Sequence, residues 1–394
     1  MQPNTDHIQT THIGSMIRPP EVLELLEAKE AGDPYDADEW SLRLGTAVKA
    51  LVRRQVEIGL DWVSDGELSK NSFSNYVTQR LGPFDGVREG GLAALVDAAV
   101  PADRRRPTEP SALSAVGTRS RPDILALREL RVNTGPLHWQ AREYEDDIAR
   151  LLIAGAEVGL DPDRLFMPAV AVGQVAFMFP SDHYTIEEAW LEAIADAMAD
   201  EYRAIAAAGV TVQIDSPDFV MMRHRQYRSA TWPEYRRSIE RRIEALNNAL
   251  ADIPEHLIRF HLCWGNVPGP HIEDVPLSDV LDLLLTVKAG AYSVEAANPR
   301  HAHEWTLWRH GRLPDGKLLI PGVIDTVTQH VEHPEVVAQR IIQYAETVGP
   351  ERVIAAPDCG FGTFVGLSSV AEEIMWLKLE ALVEGARLAS DRLS

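Results

Sequence analysis

The chain runs to 394 residues with 38 basic and 59 acidic side chains, a net charge of −21. A body that acidic repels phosphate backbones and anionic lipid, so neither a nucleic-acid partner nor a membrane surface is expected. No stretch approaches the roughly 18 apolar residues of a membrane span. The N-terminus carries neither a basic nor an apolar leader region. Two cysteines rule out a disulfide scaffold, and a reducing, cytoplasmic setting is expected.

Short strand-like segments fall at 9–15, 62–66, 165–170, 210–215, 257–263, 291–295, 318–323 and 353–357. Amphipathic helical stretches lie between most of them, among them 186–208, 277–289, 335–347 and 369–386. Eight strands alternating with helices predict an α/β fold, a single (βα)8 TIM barrel spanning 1–394. An open doubly wound sheet is the alternative, and it would normally carry a glycine-rich phosphate loop after its first strand. His12-Ile13-Gly14-Ser15-Met16 is no such loop, and no P-loop occurs elsewhere. The segment 83–137 breaks the rhythm with Arg104-Arg105-Arg106-Pro107, a Ser/Thr/Pro-rich run and an apolar stretch at 125–133. It reads as an insertion between the second and third strands, a hairpin over the barrel mouth.

Both cysteines sit at the C-terminal ends of predicted strands. In Phe260-His261-Leu262-Cys263 the histidine and cysteine share one strand face. They stand roughly 6.6 Å apart along the chain, a reach that lets one ion take both side chains. Cys359 follows the last strand in Pro357-Asp358-Cys359-Gly360, and Glu295 ends another strand in Val294-Glu295-Ala296-Ala297-Asn298-Pro299. His261, Cys263, Glu295 and Cys359 make a borderline-soft donor set suited to Zn2+.

These residues resemble the catalytic barrel of the cobalamin-independent methionine synthases and their shorter relatives, which include epoxyalkane–coenzyme M transferases. The resemblance runs from Thr10 to about Gly366. It implies zinc held by His261, Cys263, Glu295 and Cys359. Gly14-Ser15, Asp65-Gly66-Glu67 and Gln213-Ile214-Asp215-Ser216-Pro217 resemble three further family motifs. By that resemblance Ser15, Glu67 and Asp215 would hold the amino-acid end of homocysteine. The chain also departs from the longer family members, which carry a second, N-terminal barrel. In Gly322-Val323-Ile324-Asp325-Thr326-Val327 the valine stands where they have the histidine thought to protonate folate. Gly362-Thr363-Phe364 replaces their Lys-Thr-Arg.

Two thiolates and a carboxylate outweigh the ion's double charge. Such a centre is a poor source of hydroxide and a good place to present a substrate sulfur as thiolate. The expected partners are therefore small molecules, a thiol and an alkyl donor, with a homo-oligomer left open. The first reading is a zinc-dependent thiol S-alkyltransferase, most simply a methyltransferase acting on homocysteine. The alternatives are an epoxyalkane–coenzyme M transferase or related carbon–sulfur lyase, and a non-catalytic zinc-binding barrel. An epoxide donor requires an acid, for which His330 and His12 are candidates. A carboxylate pair, Glu67 and Asp215, suits an ammonium-bearing thiol. A sulfonate thiol would need cations such as Arg18, Lys70 or Arg223.

Overall fold

The computed structural model describes residues 1, 3–89, 129–224, 226–266, 268–365 and 368–393. Its strands, in chain order, are β1 (Gln9–Thr10), β2 (Leu81–Gly82), β3 (Gly86–Glu89), β4 (Glu129–Val132), β5 (His138–Trp139), β6 (Phe166–Val170), β7 (Thr211–Asp215), β8 (Ile258–Leu262), β9 (Ala291–Val294), β10 (Leu318–Ile324) and β11 (Ile354–Pro357). Among the described residues, seven of them form one curled parallel sheet ordered β1-β11-β10-β9-β8-β7-β6. Residues 61–63 lie between its two edges. The N–H groups of Asp61 and Trp62 each donate to the Thr10 carbonyl at 3.1 Å, and Val63 makes a parallel bridge to Leu165.

The strands β6, β7 and β8 are buried along their whole length, as a sheet covered on both faces demands. Helices cover the outside. In Glu187–Ala207 the buried Trp190, Leu191, Ile194, Met198, Tyr202 and Ile205 recur at three- and four-residue steps, so one stripe meets the sheet. Trp232–Ala249 starts on a capping box in which Glu234 bonds back to the Thr231 N–H at 2.7 Å.

The expected strands correspond to observed ones, with local differences at the first two and at the helix after the fifth. The first is two residues long rather than seven. It ends at Thr10; further on Gly14 takes φ +120° and the His12 ring accepts from the Gly14 N–H at 3.2 Å. The second is a single bridge at Val63, because Gly66 and Glu67 turn the chain with φ +65° and +55°. The helix expected over 277–289 stops at Leu284. There the Thr286 hydroxyl takes the Leu283 carbonyl at 2.7 Å, so it competes with the helical bond.

In the 83–137 segment, β3 pairs antiparallel with β4, and just outside it β2 pairs antiparallel with β5. The Arg104-Arg105-Arg106 run and the Ser/Thr/Pro-rich stretch lie outside the described residues. No helix among the described residues is long and apolar enough to cross a membrane.

Candidate active site

Parallel register decides which side chains meet. Gln213 pairs with Arg259 and Asp215 with His261 across β7 and β8, and His261 pairs with Ser293 across β8 and β9. Side chains alternate along a strand, so Gln213 and Arg259 form one inward layer and Asp215, His261 and Ser293 the next, nearer the C-terminal ends.

In the lower layer Arg259 is fully buried. It donates to Gln213 Oε1 at 2.6 Å, Thr11 Oγ1 at 2.9 Å and the His12 carbonyl at 2.7 Å, and lies 3.4 Å from the Phe166 ring centroid. Gln213 passes this on by donating to Asp215 Oδ1 at 2.7 Å. Burial pushes the Arg259 guanidinium down to about 9, against the pull of Asp215.

In the upper layer His261 Nδ1 meets Ser293 Oγ at 3.1 Å, and its buried Nε2 has no partner. The Cys263 and Cys359 sulfurs are 3.5 Å apart. One ligand atom from each of His261, Cys263 and Cys359 falls within 4.8 Å of the others. Burial holds the His261 imidazole neutral, down to about 3, which is the form that ligates. The Cys359 thiol is pushed well up by the neighbouring Cys263 sulfur and by burial, a penalty that a cation between the sulfurs would remove. An unpartnered imidazole nitrogen beside two facing sulfurs fits zinc. Glu295 is buried nearby but occupied: Oε1 accepts the Trp264 N–H at 2.7 Å and Oε2 the Asn298 side-chain amide at 3.2 Å. Three of the four expected ligands are thus brought together, and the fourth is bonded to the main chain that follows Cys263.

The sulfurs and the imidazole line a cleft. Ser15, Glu67 and Asp215 also line it, with Gln174, Asn266 and Thr363, and so does an apolar wall of Phe73, Phe177, Met178, Met221 and Phe364. Burial raises both carboxyl groups. Asp215 goes well above its ordinary value, with Glu67 adding to the rise, while Lys70 and Arg18 oppose the rise at Glu67. Glu67 Oε2 and Gln174 Oε1 are buried acceptors without partners. Glu67 reaches the cleft from a left-handed main-chain conformation, where a non-glycine residue is uncommon. A Cβ on Gly14 would stand 2.7 Å from Glu67 Oε1, and one on Gly360 2.1 Å from Ser15 Oγ. Both glycines are therefore fixed by the close approach of site residues.

Other expected residues lie elsewhere. Arg18 donates to the carbonyls of Glu67, Lys70 and Gly362 at 3.0, 2.6 and 2.7 Å. It braces the chain that carries Glu67 and does not line the cleft. Lys70 donates to the Pro168 carbonyl, and Arg223 to those of Tyr227 and Ala230. His330 is exposed and outside the cleft, and its carbonyl accepts from Lys378. His12 is packed inside, 4.9 Å from the Phe166 ring and down to about 3 through burial. Neither histidine is placed to protonate a group in the cleft. Gln174 and the apolar wall were not legible as site residues, since they come from helices and loops with no motif. Arg259 had a signal: it stands two residues before His261 on the same strand face.

A curled parallel sheet with a metal-competent Cys, His, Cys group and two carboxylates at its C-terminal ends defines an α/β protein with an enzyme-like site. The chain belongs to the family described as cobalamin-independent synthase, catalytic domain, whose model matches residues 169–378. Over 393 residues it is 24% identical to a methionine synthase of Thermococcus kodakarensis, covering 98% of this chain and 95% of that protein. A methionine synthase of Saccharolobus islandicus is 22% identical, with 98% and 96% covered. A 5-methyltetrahydropteroyltriglutamate–homocysteine methyltransferase of Thermosynechococcus vestitus is 23% identical across 92% of this chain, which spans only 41% of that longer protein. The structure of a B12-independent methionine synthase from Shewanella sp. W3-18-1, in complex with selenomethionine, superposes with a TM-score of 0.70. That match is at 18% identity over 98% of this chain and 99% of the other, an agreement of fold.

Proposed function

We propose that this chain is a zinc-dependent methyltransferase that alkylates the sulfur of homocysteine or a close amino thiol. We further propose that 1–394 is one (βα)8 barrel, with 61–63 as its remaining stave and 83–137 as an insertion. The observation that carries the substrate reading is the charge of the cleft. Among the described residues, the charged side chains lining it besides the ligand group are Glu67 and Asp215. The cations considered for a sulfonate, Arg18, Lys70 and Arg223, are bonded to main-chain carbonyls instead. The relatives named methionine synthase support the same choice.

His261, Cys263 and Cys359 would hold the ion, and Glu295 would be a fourth ligand only by giving up its bonds to Trp264 and Asn298. Zinc bound there would lower the pKa of an incoming thiol, so that the sulfur reacts as thiolate at neutral pH. The chain's own residues orient it. Glu67 and Asp215 receive the ammonium, which relieves two buried carboxylates of their mutual repulsion. Gln174 Oε1 offers a further acceptor. Ser15 lies between Glu67 and Gly360, where its hydroxyl can meet the substrate carboxylate. Phe73, Phe177, Met178, Met221 and Phe364 hold the donor's uncharged surface and keep water from the sulfur. Rate then comes from aligning sulfur and methyl carbon.

The test is alkylation measured side by side with homocysteine and with coenzyme M, using zinc-loaded protein and a range of methyl donors. Homocysteine should be alkylated and coenzyme M should not. Equal rates would overturn the substrate reading, and zinc-free protein of full activity would overturn the metal.

A further inference from the structure

We infer that His301 is a positioning residue: held between Asp274 and Glu304, it packs its ring against that of Trp264 and fixes the main chain that orients Cys263 and Glu295. The inference rests on the zinc assignment above. His301 is 2% exposed, with Nδ1 2.8 Å from Glu304 Oε2 and Nε2 3.1 Å from Asp274 Oδ2. Carboxylates accept, so both ring nitrogens donate and the ring orientation is fixed at two points. Each carboxylate is itself anchored. Glu304 Oε1 accepts the Leu277 N–H at 2.7 Å, where the helix Leu277–Leu284 begins, and Asp274 Oδ2 also meets His271 Nδ1 at 2.8 Å.

The Trp264 and His301 ring centroids are 4.2 Å apart. Trp264 is further held by its Nε1–H, which donates to the Val275 carbonyl at 2.7 Å. With its ring pinned on two sides, its main chain has little freedom. The main-chain donors here are the ones that meet the candidate ligands: Trp264 N–H to Glu295 Oε1 at 2.7 Å, and Gly265 N–H to Cys263 Sγ at 3.3 Å. Partners of this kind set ligand orientation, and their loss typically weakens metal binding roughly 10- to 100-fold. His301 does not line the cleft, and its ring contact with Trp264 connects it to the main chain beside Cys263.

The test uses the full chain loaded with Co2+ in place of zinc, together with zinc affinity measured against a chromogenic chelator. His301→Ala should weaken zinc binding roughly 10- to 100-fold and shift the cobalt d–d bands. His301→Gln, which can still donate to one carboxylate, should recover part of both. Trp264→Leu should reproduce the loss and carries the test if His301→Ala does not fold. Folded variants with zinc affinity within about twofold of the parent and an unchanged cobalt spectrum would overturn the inference. Absence of a thiolate-to-cobalt charge-transfer band in the parent protein would instead overturn the metal reading itself.

Discussion

Replacing Asp215 with asparagine should move substrate binding and stability in opposite directions. Asparagine keeps the shape and the acceptor for Gln213, which now donates to Asp215 Oδ1 at 2.7 Å, but removes the charge. A charge-assisted hydrogen bond contributes about 1.5–3 kcal/mol, so the KM for homocysteine should rise roughly 10- to 150-fold. In the free protein the same carboxylate is a burden. It is 6% exposed, and burial together with Glu67 raises its pKa well above the usual range. The folded state therefore binds this proton more tightly than the unfolded chain does. Asp215's contribution falls as pH rises from about 4, the unfolded value, through the higher folded one. Asp215→Asn removes that slope, so the variant should gain on the parent protein between pH 5 and pH 8. Urea unfolding at the two pH values reads the stability. Calorimetry with homocysteine and with 4-mercaptobutanoic acid, which lacks the ammonium, reads the binding, and the parent's preference between them should shrink in the variant, where Glu67 alone still meets the ammonium. Unchanged KM and kcat, or a variant that loses stability more at pH 8 than at pH 5, would refute the reasoning.

Cys359→Ser should lose most of the zinc, since an alkoxide is a far poorer partner than thiolate; metal analysis after gel filtration checks it, and full occupancy would remove Cys359 from the ligand set. Gly360→Ala places a Cβ 2.1 Å from Ser15 Oγ and should destabilise by about 1–3 kcal/mol while abolishing alkylation, read by urea unfolding and product assay. His301, raised to about 10 by its bonds to Asp274 and Glu304 and by the charge of Glu295, should support stability fully below about pH 6.5 and lose that support as pH climbs through its folded value. His301→Ala should flatten this alkaline limb of the unfolding profile. Methyltetrahydrofolate should serve poorly as sole donor, because its amine leaving group needs an acid and Val327 has no proton to give; sustained turnover with it would refute this.

The strand rhythm was legible because parallel strands are short apolar runs between amphipathic helices, and alternation put His261 and Cys263 on one face. What alternation could not reach was the posture of side chains that leave the sheet. Glu295 was readable as a strand-end carboxylate, but its bonds to Trp264 and Asn298 depend on a turn set by Asp358, which accepts the N–H groups of Ala296, Ala297 and Asn298 at 2.8, 2.8 and 2.7 Å. Arg18, Lys70 and Arg223 were equally available as substrate cations in the sequence, where nothing distinguishes an arginine that faces a ligand from one that braces carbonyls. His330 stood three residues past Val327 and looked near the site, yet the chain after β10 carries it to the surface. Gln174 and the apolar wall come from segments whose proximity is purely tertiary.

The placement of the cations explains how an acidic protein sustains two carboxylates in one buried cleft. Arg18 and Lys70 oppose the rise of the Glu67 pKa, and Arg259 and Lys70 do so at Asp215, all while bonded to main chain or to Gln213. Their charge reaches the carboxylates through the low-dielectric interior, but their donors are already used. A cation lining the cleft would pair directly with Glu67 or Asp215 and leave no acceptor for a ligand. Held behind the wall, the same charges favour the ionised form of both carboxyl groups, as an arriving ammonium would. Glu67 Oε2 is the buried acceptor that this arrangement leaves without a partner. An anionic thiol would meet two carboxylates there with no opposing donor, which is why the cleft's selectivity is set by where its arginines and lysine point rather than by how many the sequence contains.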